Sequence, residues 1–206
     1  EDYVIGNDRS SNTAMLRHDV DRIPANALAI ASVEAEIGIK ATYYFRIIDG
    51  VFKDDIVRAI VDLGHELGYH YEDLSLARGD IAAATGHFER QLARLRQFYP
   101  VRTICMHGSP LSRWDNRQLF EVVDYGQYDI IAEPYFDFNF NEVLYLTDTG
   151  RRWDGAAVAI RDKVETQLAH AFRTTFDLID AFDSGELTSH LLINTHPHRW
   201  HSSRLN

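Results

Sequence analysis

Residues 13–45 read TAMLRHDVDRIPANALAIASVEAEIGIKATYYF. An apolar run from Thr13 to Arg17 ends in His18-Asp19-Val20-Asp21. Pro24, a good first-turn residue, opens a stretch with Ala27, Ile30, Val33 and Ile37 at helical spacing, and Gly38 stops it. Ala41 to Phe45, rich in aromatic side chains, reads as a second strand. Strand, helix and strand in this order imply two parallel strands joined by a crossover helix.

The alternation continues along the chain. A helix over Asp55–Leu63 is closed by Gly64, and His65–His70 is a short strand. Asp80–Phe98 is a long amphipathic helix with Phe88, Leu92, Leu95 and Phe98 on one face, ended by Pro100. Val101–Met106 is the fourth strand. The second half is less regular: a short helix over Asn116–Val123, strands over Tyr128–Ala132 and Val143–Leu146, a long helix over Arg161–Phe182, and a last strand at Leu191–Thr195. No internal repeat or linker divides the chain, so one α/β domain over residues 1–206 is expected, its parallel sheet closed as a barrel or open and doubly wound.

Composition narrows the function classes. The chain has 206 residues, 45% hydrophobic and 25% charged, enough apolar material for a sizeable core. Lys plus Arg is 21 against 31 for Asp plus Glu, a formal charge of -10. That surface argues against nucleic-acid binding and against an anionic membrane. No apolar run is long enough for a membrane span. With a single cysteine, Cys105, there is neither an internal disulfide nor a cysteine-built zinc site, and the cytoplasm is the default compartment.

Parallel α/β folds gather their sites at the carboxyl ends of the strands. Polar clusters occupy those positions here: His18-Asp19-Val20-Asp21, Arg46, His70-Tyr71-Glu72-Asp73, His107-Gly108-Ser109-Pro110, Glu133-Pro134-Tyr135, Asp148 to Arg152, and His196-Pro197-His198. One convergent site explains them together. Asp19 and Asp21 can point into one cavity, one ligating a cation and the other acting as a base; the plainer alternative has Asp21 capping the helix near Pro24. His70, at a strand end, is a better metal ligand than His65, which lies on the opposite face. His196 directly follows an apolar run, whereas His190, His198 and His201 are expected at the surface and His87 and His170 on helices. Asp, His and a further His or carboxylate form a hydrolytic ligand set for Zn²⁺ or a similar divalent ion. A carboxylate base and a separate histidine acid complete a hydrolase of amides or esters. A Gly-x-Ser-x-Gly elbow and a P-loop are both missing, and Cys105 lies mid-strand.

From about Leu16 to Trp200 the pattern resembles the polysaccharide deacetylases of the NodB-homology type, carbohydrate esterase family four in the broad sense. Leu16-Arg-His-Asp-Val-Asp21 is similar to their first motif, Gly64-His-Glu-Leu-Gly-Tyr-His70 to their Gly-His-Glu-Ile-Gly-x-His stretch, and Leu192-Ile-Asn-Thr-His196-Pro to their last motif. Tyr43-Tyr-Phe-Arg46, His70-Tyr-Glu-Asp73 and Met106-His-Gly-Ser-Pro110 add a likeness to the WbmS-like branch, associated with bacterial surface-polysaccharide gene clusters. The resemblance implies a distorted (β/α) barrel of about seven parallel strands. It also implies a metal-dependent deacetylase, a zinc enzyme by family habit, acting on an acetamido sugar. Asp19 would be the base, His196 the acid, and Asp21 and His70 metal ligands.

Three departures matter. The family's second ligand histidine falls on Leu74, so Glu72 or His107 must supply the third ligand, and His107 is preferred because it restores the ligand type. The arginine that orients the base is missing from His107-Gly108-Ser109-Pro110, leaving Arg46 or Arg151 for that place. Val20 is an insertion, so the roles of Asp19 and Asp21 follow from their order. Arg46, Tyr71, Glu72, Glu133 and Arg151 are expected to contact substrate. Two alternatives stay open: a catalytically inactive carbohydrate-binding protein on the same fold, and a metal-dependent hydrolase of another amide or of an O-acetyl ester. The identity of the sugar, its carrier and the oligomeric state are left open.

Overall fold

The computed structural model describes residues 2–5, 13–154, 160–168, 170–187 and 190–200. A short helix α1 (Asp2–Ile5) precedes β1 (Ala14–Val20), α2 (Pro24–Glu36), β2 (Thr42–Phe45), α3 (Asp54–Asp62) and β3 (Glu66–Tyr71). Then come α4 (Asp73–Leu76), α5 (Ile81–Leu95), β4 (Ile104–Met106), α6 (Pro134–Asp137), β5 (Val143–Thr147), α7 (Thr175–Asp183) and β6 (His190–Thr195). All strands pair in parallel in the order β4-β3-β2-β1-β6-β5, and the sheet curls into a half-barrel with helices outside. The expected architecture is present. No helix among the described residues is long and apolar enough to cross a membrane.

The crossovers form for the reasons the sequence supplies. Pro24 sits in the first turn of α2, and Gly38 follows its end at φ +76°, a conformation that glycine adopts without a Cβ clash. The Asp80 side chain accepts from the Ala83 N–H and caps α5, which buries Ala84, Phe88, Leu92 and Leu95. Alternation along each strand sorts side chains onto two faces. His18 and Tyr43 point outward to Glu34 of α2, and Tyr69 and Tyr71 pack on Phe88 of α5. Arg17, Asp19, Tyr44 and His70 face the barrel interior, where Arg17 stacks over the Tyr44 ring and Asn194 donates to Asp19. Gly68 is required beside them: a Cβ there would lie 2.3 Å from the Tyr44 ring.

Three expected elements differ. The strand over Tyr128–Ala132 is reduced to a stub on the outer edge of β4, with two hydrogen bonds (Ile131 N–H to Arg102 O, 2.8 Å; Ile104 N–H to Ala132 O, 3.0 Å). A 3₁₀ turn over Tyr125–Tyr128 and left-handed backbone at Asp129 use up the preceding residues. The helix over Asn116–Val123 shortens to a 3₁₀ turn at Asn116–Leu119. The helix over Arg161–Phe182 begins only at Thr175. A reciprocal cap between Thr174 and Asp177 sets its start, and Arg161 and Asp162 are drawn into tertiary hydrogen bonds instead.

Candidate active site

β1 delivers the first side chains. Arg17, Asp19 and Asp21 alternate onto the interior side, and a turn closed by the Asp21 N–H on Asp19 O (3.1 Å) ends the strand. Arg17 grips Asp19 with a two-bond fork, Nε to Oδ1 at 2.9 Å and Nη2 to Oδ2 at 2.7 Å. Both side chains are buried, at 2% and 4% exposure. Burial alone would push the Asp19 carboxyl up, but Arg17 and then His70 hold it well below the usual carboxylate range. Asn194 Nδ2 donates to Asp19 Oδ2 at 3.0 Å, so Oδ1 keeps the freer lone pairs.

β3 and β4 bring two imidazoles to Asp21. His70 Nε2 lies 3.4 Å and His107 Nε2 3.6 Å from Asp21 Oδ1, which is buried and accepts no hydrogen bond. Each ring is oriented from behind. His70 Nδ1 donates to Cys105 O at 2.9 Å, and His107 Nδ1 is 3.0 Å from Glu72 Oε2. Both Nε2 atoms therefore face the orphaned carboxylate oxygen. Asn116, fully buried, donates to His107 O and Ser109 Oγ and fixes the loop that carries His107. The Asp21 carboxyl, which burial would raise, is held well below its usual range by His70 and then His107.

β5 and β6 build the opposite wall. His196 Nδ1 donates to Asp148 Oδ1 at 2.6 Å, and Asp148 also accepts from Arg199, from the Trp200 indole and from the His196 N–H. Burial would lower the His196 imidazole, but Asp148 and then Asp19 raise it above its ordinary value. Its Nε2 faces the centre, 3.9 Å from Asp21 Oδ2.

These groups share a cavity of about 220 Å³ at the carboxyl ends of the strands, lined by Asp19, Asp21, His70, His107 and His196. A larger cavity, about 590 Å³, opens at the amino ends and contains none of the strand-end histidines. Asp19, His70 and Cys105 also bring ligand atoms within 4.8 Å of one another. That trio suits a cation less well, because burial pushes the Cys105 thiol up and Arg17 occupies Asp19.

The remaining expected contacts separate. Glu72 is saturated by Arg46 (2.9 Å to each carboxylate oxygen) and His107. Burial would raise its carboxyl, but His107 and then Arg46 pull it down to about 2. It stands behind His107, and Arg46 serves it rather than Asp19. Leu74 is buried in the core, 2% exposed, so the position of the missing histidine lies away from the cavity. Tyr71 packs against Phe88 and Phe120. Glu133, fully buried, receives the Met106 and Tyr135 N–H groups and holds α6 to β4. Neither Tyr71 nor Glu133 lines the cavity. Arg151 is exposed on the turn after β5. Arg17 and Asp148 were not singled out from the sequence. Their signals were an arginine sharing the parity of Asp19 and a carboxylate after the strand beside His196.

No family model and no curated protein matches the chain. Among solved structures, the fold is similar to the catalytic domain of a peptidoglycan N-acetylglucosamine deacetylase from Eubacterium rectale. The identity is 12%, over 95% of this chain and 80% of that one, with a TM-score of 0.58. A family 4 carbohydrate esterase from Streptomyces lividans, in complex with acetate, matches at 15% identity over 93% and 81% of the two chains, TM-score 0.56. A CE4 family pseudoenzyme from Bacillus anthracis matches at 13% over 89% and 64%, TM-score 0.50. Identities this low establish the fold, which active and inactive proteins share.

Proposed function

We propose that this chain, acting as one domain, is a metal-dependent hydrolase that removes the acetyl group from an acetamido sugar. The carrying observation is Asp21 Oδ1, buried without a hydrogen-bond donor and faced by two imidazole nitrogens at 3.4 and 3.6 Å. Neighbouring ligand atoms on a divalent ion held at about 2.1 Å are spaced by roughly 3.0–3.5 Å. One carboxylate oxygen and two neutral imidazoles are an ordinary donor set for zinc. Asp21, His70 and His107 would hold the ion. When bound, such an ion polarises an amide carbonyl and acidifies water.

The other residues have roles that follow from their partners. Arg17 and Asn194 aim Asp19 and keep it ionised, and its Oδ1 accepts the proton of the attacking water. Asp148 fixes His196 with Nδ1 protonated, and the raised imidazole delivers the Nε2 proton to the leaving amine. Glu72 and Cys105 O orient His107 and His70. Arg46 and Arg151 stay candidates for contacts with the distal parts of a substrate. The WbmS-like likeness extends the proposal to bacterial surface-polysaccharide metabolism, and a single cysteine, Cys105, favours the cytoplasm.

Acetate release from N-acetylglucosamine derivatives tests the reading. Activity lost in Asp19→Asn with metal still bound is expected; retained turnover in that variant rules out the role of Asp19. Acetate released from O-acetyl but not N-acetyl sugars moves the reaction to the ester.

A further inference from the structure

The half-barrel has two edge strands, β4 and β5, and residues 160–162 bond to groups on both of these sides. On the β5 side the half-buried Asp162 carboxylate accepts from Tyr145 (2.5 Å), Thr147 (2.9 Å) and Thr149 (2.6 Å), and it also accepts from Tyr135 of α6 (2.7 Å). Arg161 reaches the β4 side, with Nη1 donating to Gly108 O (2.8 Å) and Ser109 O (2.9 Å) and Nη2 to Ser112 O. Both residues, with Ile160, line the cavity. The segment is therefore a strap tied at each end, across the side where an open half-barrel would leave a groove. Pro110 lines the same cavity, and Leu111, next in the chain, is fully exposed, so the strapped loop stands at the rim.

The space left is small. On the scale at which 150 Å³ holds one benzene, 220 Å³ holds roughly nine non-hydrogen atoms, an acetamido group and part of one pyranose ring, and the rest of a ligand stands outside the mouth. An internal residue of a polysaccharide carries a ring on each side and needs a groove that continues past the site in both directions. We infer that Arg161 and Asp162 make this a pocket for a single acetamido-sugar unit. The substrate is a monosaccharide derivative or a chain end, and polymer interiors are excluded. The inference rests on the deacetylase reading for its chemistry but on the strap for its size limit.

Saturation-transfer NMR on Asp19→Asn, with methyl N-acetylglucosaminide and penta-N-acetylchitopentaose, reads the size limit without turnover. Mass-spectrometric mapping of deacetylated positions in the pentamer reads it with the active protein. Saturation and deacetylation confined to one terminal ring are expected. Arg161→Ala should raise the ratio of internal to terminal deacetylation by roughly tenfold or more. Ile160→Ala, which leaves the anchoring hydrogen bonds in place, should move it the same way if the first variant fails to fold. Saturation across consecutive internal rings, or internal deacetylation by the native protein, overturns the inference. Binding at one terminal ring with no acetate released from any sugar overturns the hydrolase reading and leaves the single-unit pocket standing. No saturation of any sugar overturns both.

Discussion

Replacing Arg17 by methionine keeps most of the side-chain volume and removes the charge. The Asp19 carboxylate, 4% exposed, then loses both bonds of its fork and retains the single donor Asn194. The push of burial on that carboxyl is no longer opposed by its main partner. Breaking a buried ion pair on one side costs about 3–5 kcal/mol, which for a chain of this size lowers Tm by roughly 6–20 °C. Urea denaturation at neutral pH measures the loss. Arg17→Met/Asp19→Asn removes both charges, and about 2 kcal/mol or more of the loss should return as coupling between the sites. Arg17→Lys keeps a charge without the planar fork and should fall between. If the single losses simply add to within about 0.5 kcal/mol, Asp19 is not held by Arg17 as described.

Other perturbations follow the same logic. Burial pushes Glu133 up to about 7 from the usual 4.5, so the folded protein holds a proton that the unfolded chain releases. That contribution is full below pH 4.5 and lost as pH rises through 7; Glu133→Gln should therefore gain about 2–3 kcal/mol on the native protein between pH 5 and 8, and a constant difference in denaturation curves refutes this. Asp148→Asn frees the His196 ring and should cut kcat about 10²–10⁴-fold with little change in KM, measured by acetate release. Gly68→Ala drives a Cβ to 2.3 Å from the Tyr44 ring and should cost about 1–3 kcal/mol in chemical denaturation.

What could be read in advance was the part governed by local pattern. Pro24, Gly38 and the aromatic run at Tyr43–Phe45 mark a crossover unit by chain chemistry alone, and strand-end polar residues can only gather at one end of a parallel sheet. Asp21, His70, His107 and His196 accordingly surround one cavity. What escaped depends on which side chains meet once the sheet has formed. Arg17 closes the run that begins at Thr13, and its even spacing from Asp19 puts both on one face. Asp148 gains meaning only beside His196 on the neighbouring strand. The helix expected from Arg161 gives way because four hydroxyls on Asp162 outweigh the helical bonds, and α7 starts at the Thr174–Asp177 cap.

The central claim is that Asp21, His70 and His107 hold a catalytic divalent ion. Elemental analysis of the purified protein by inductively coupled plasma mass spectrometry, beside His70→Ala and His107→Ala, tests it directly. The account predicts about one divalent ion per chain in the native protein and loss in both variants. No ion after incubation with zinc, or full retention in His107→Ala, contradicts it.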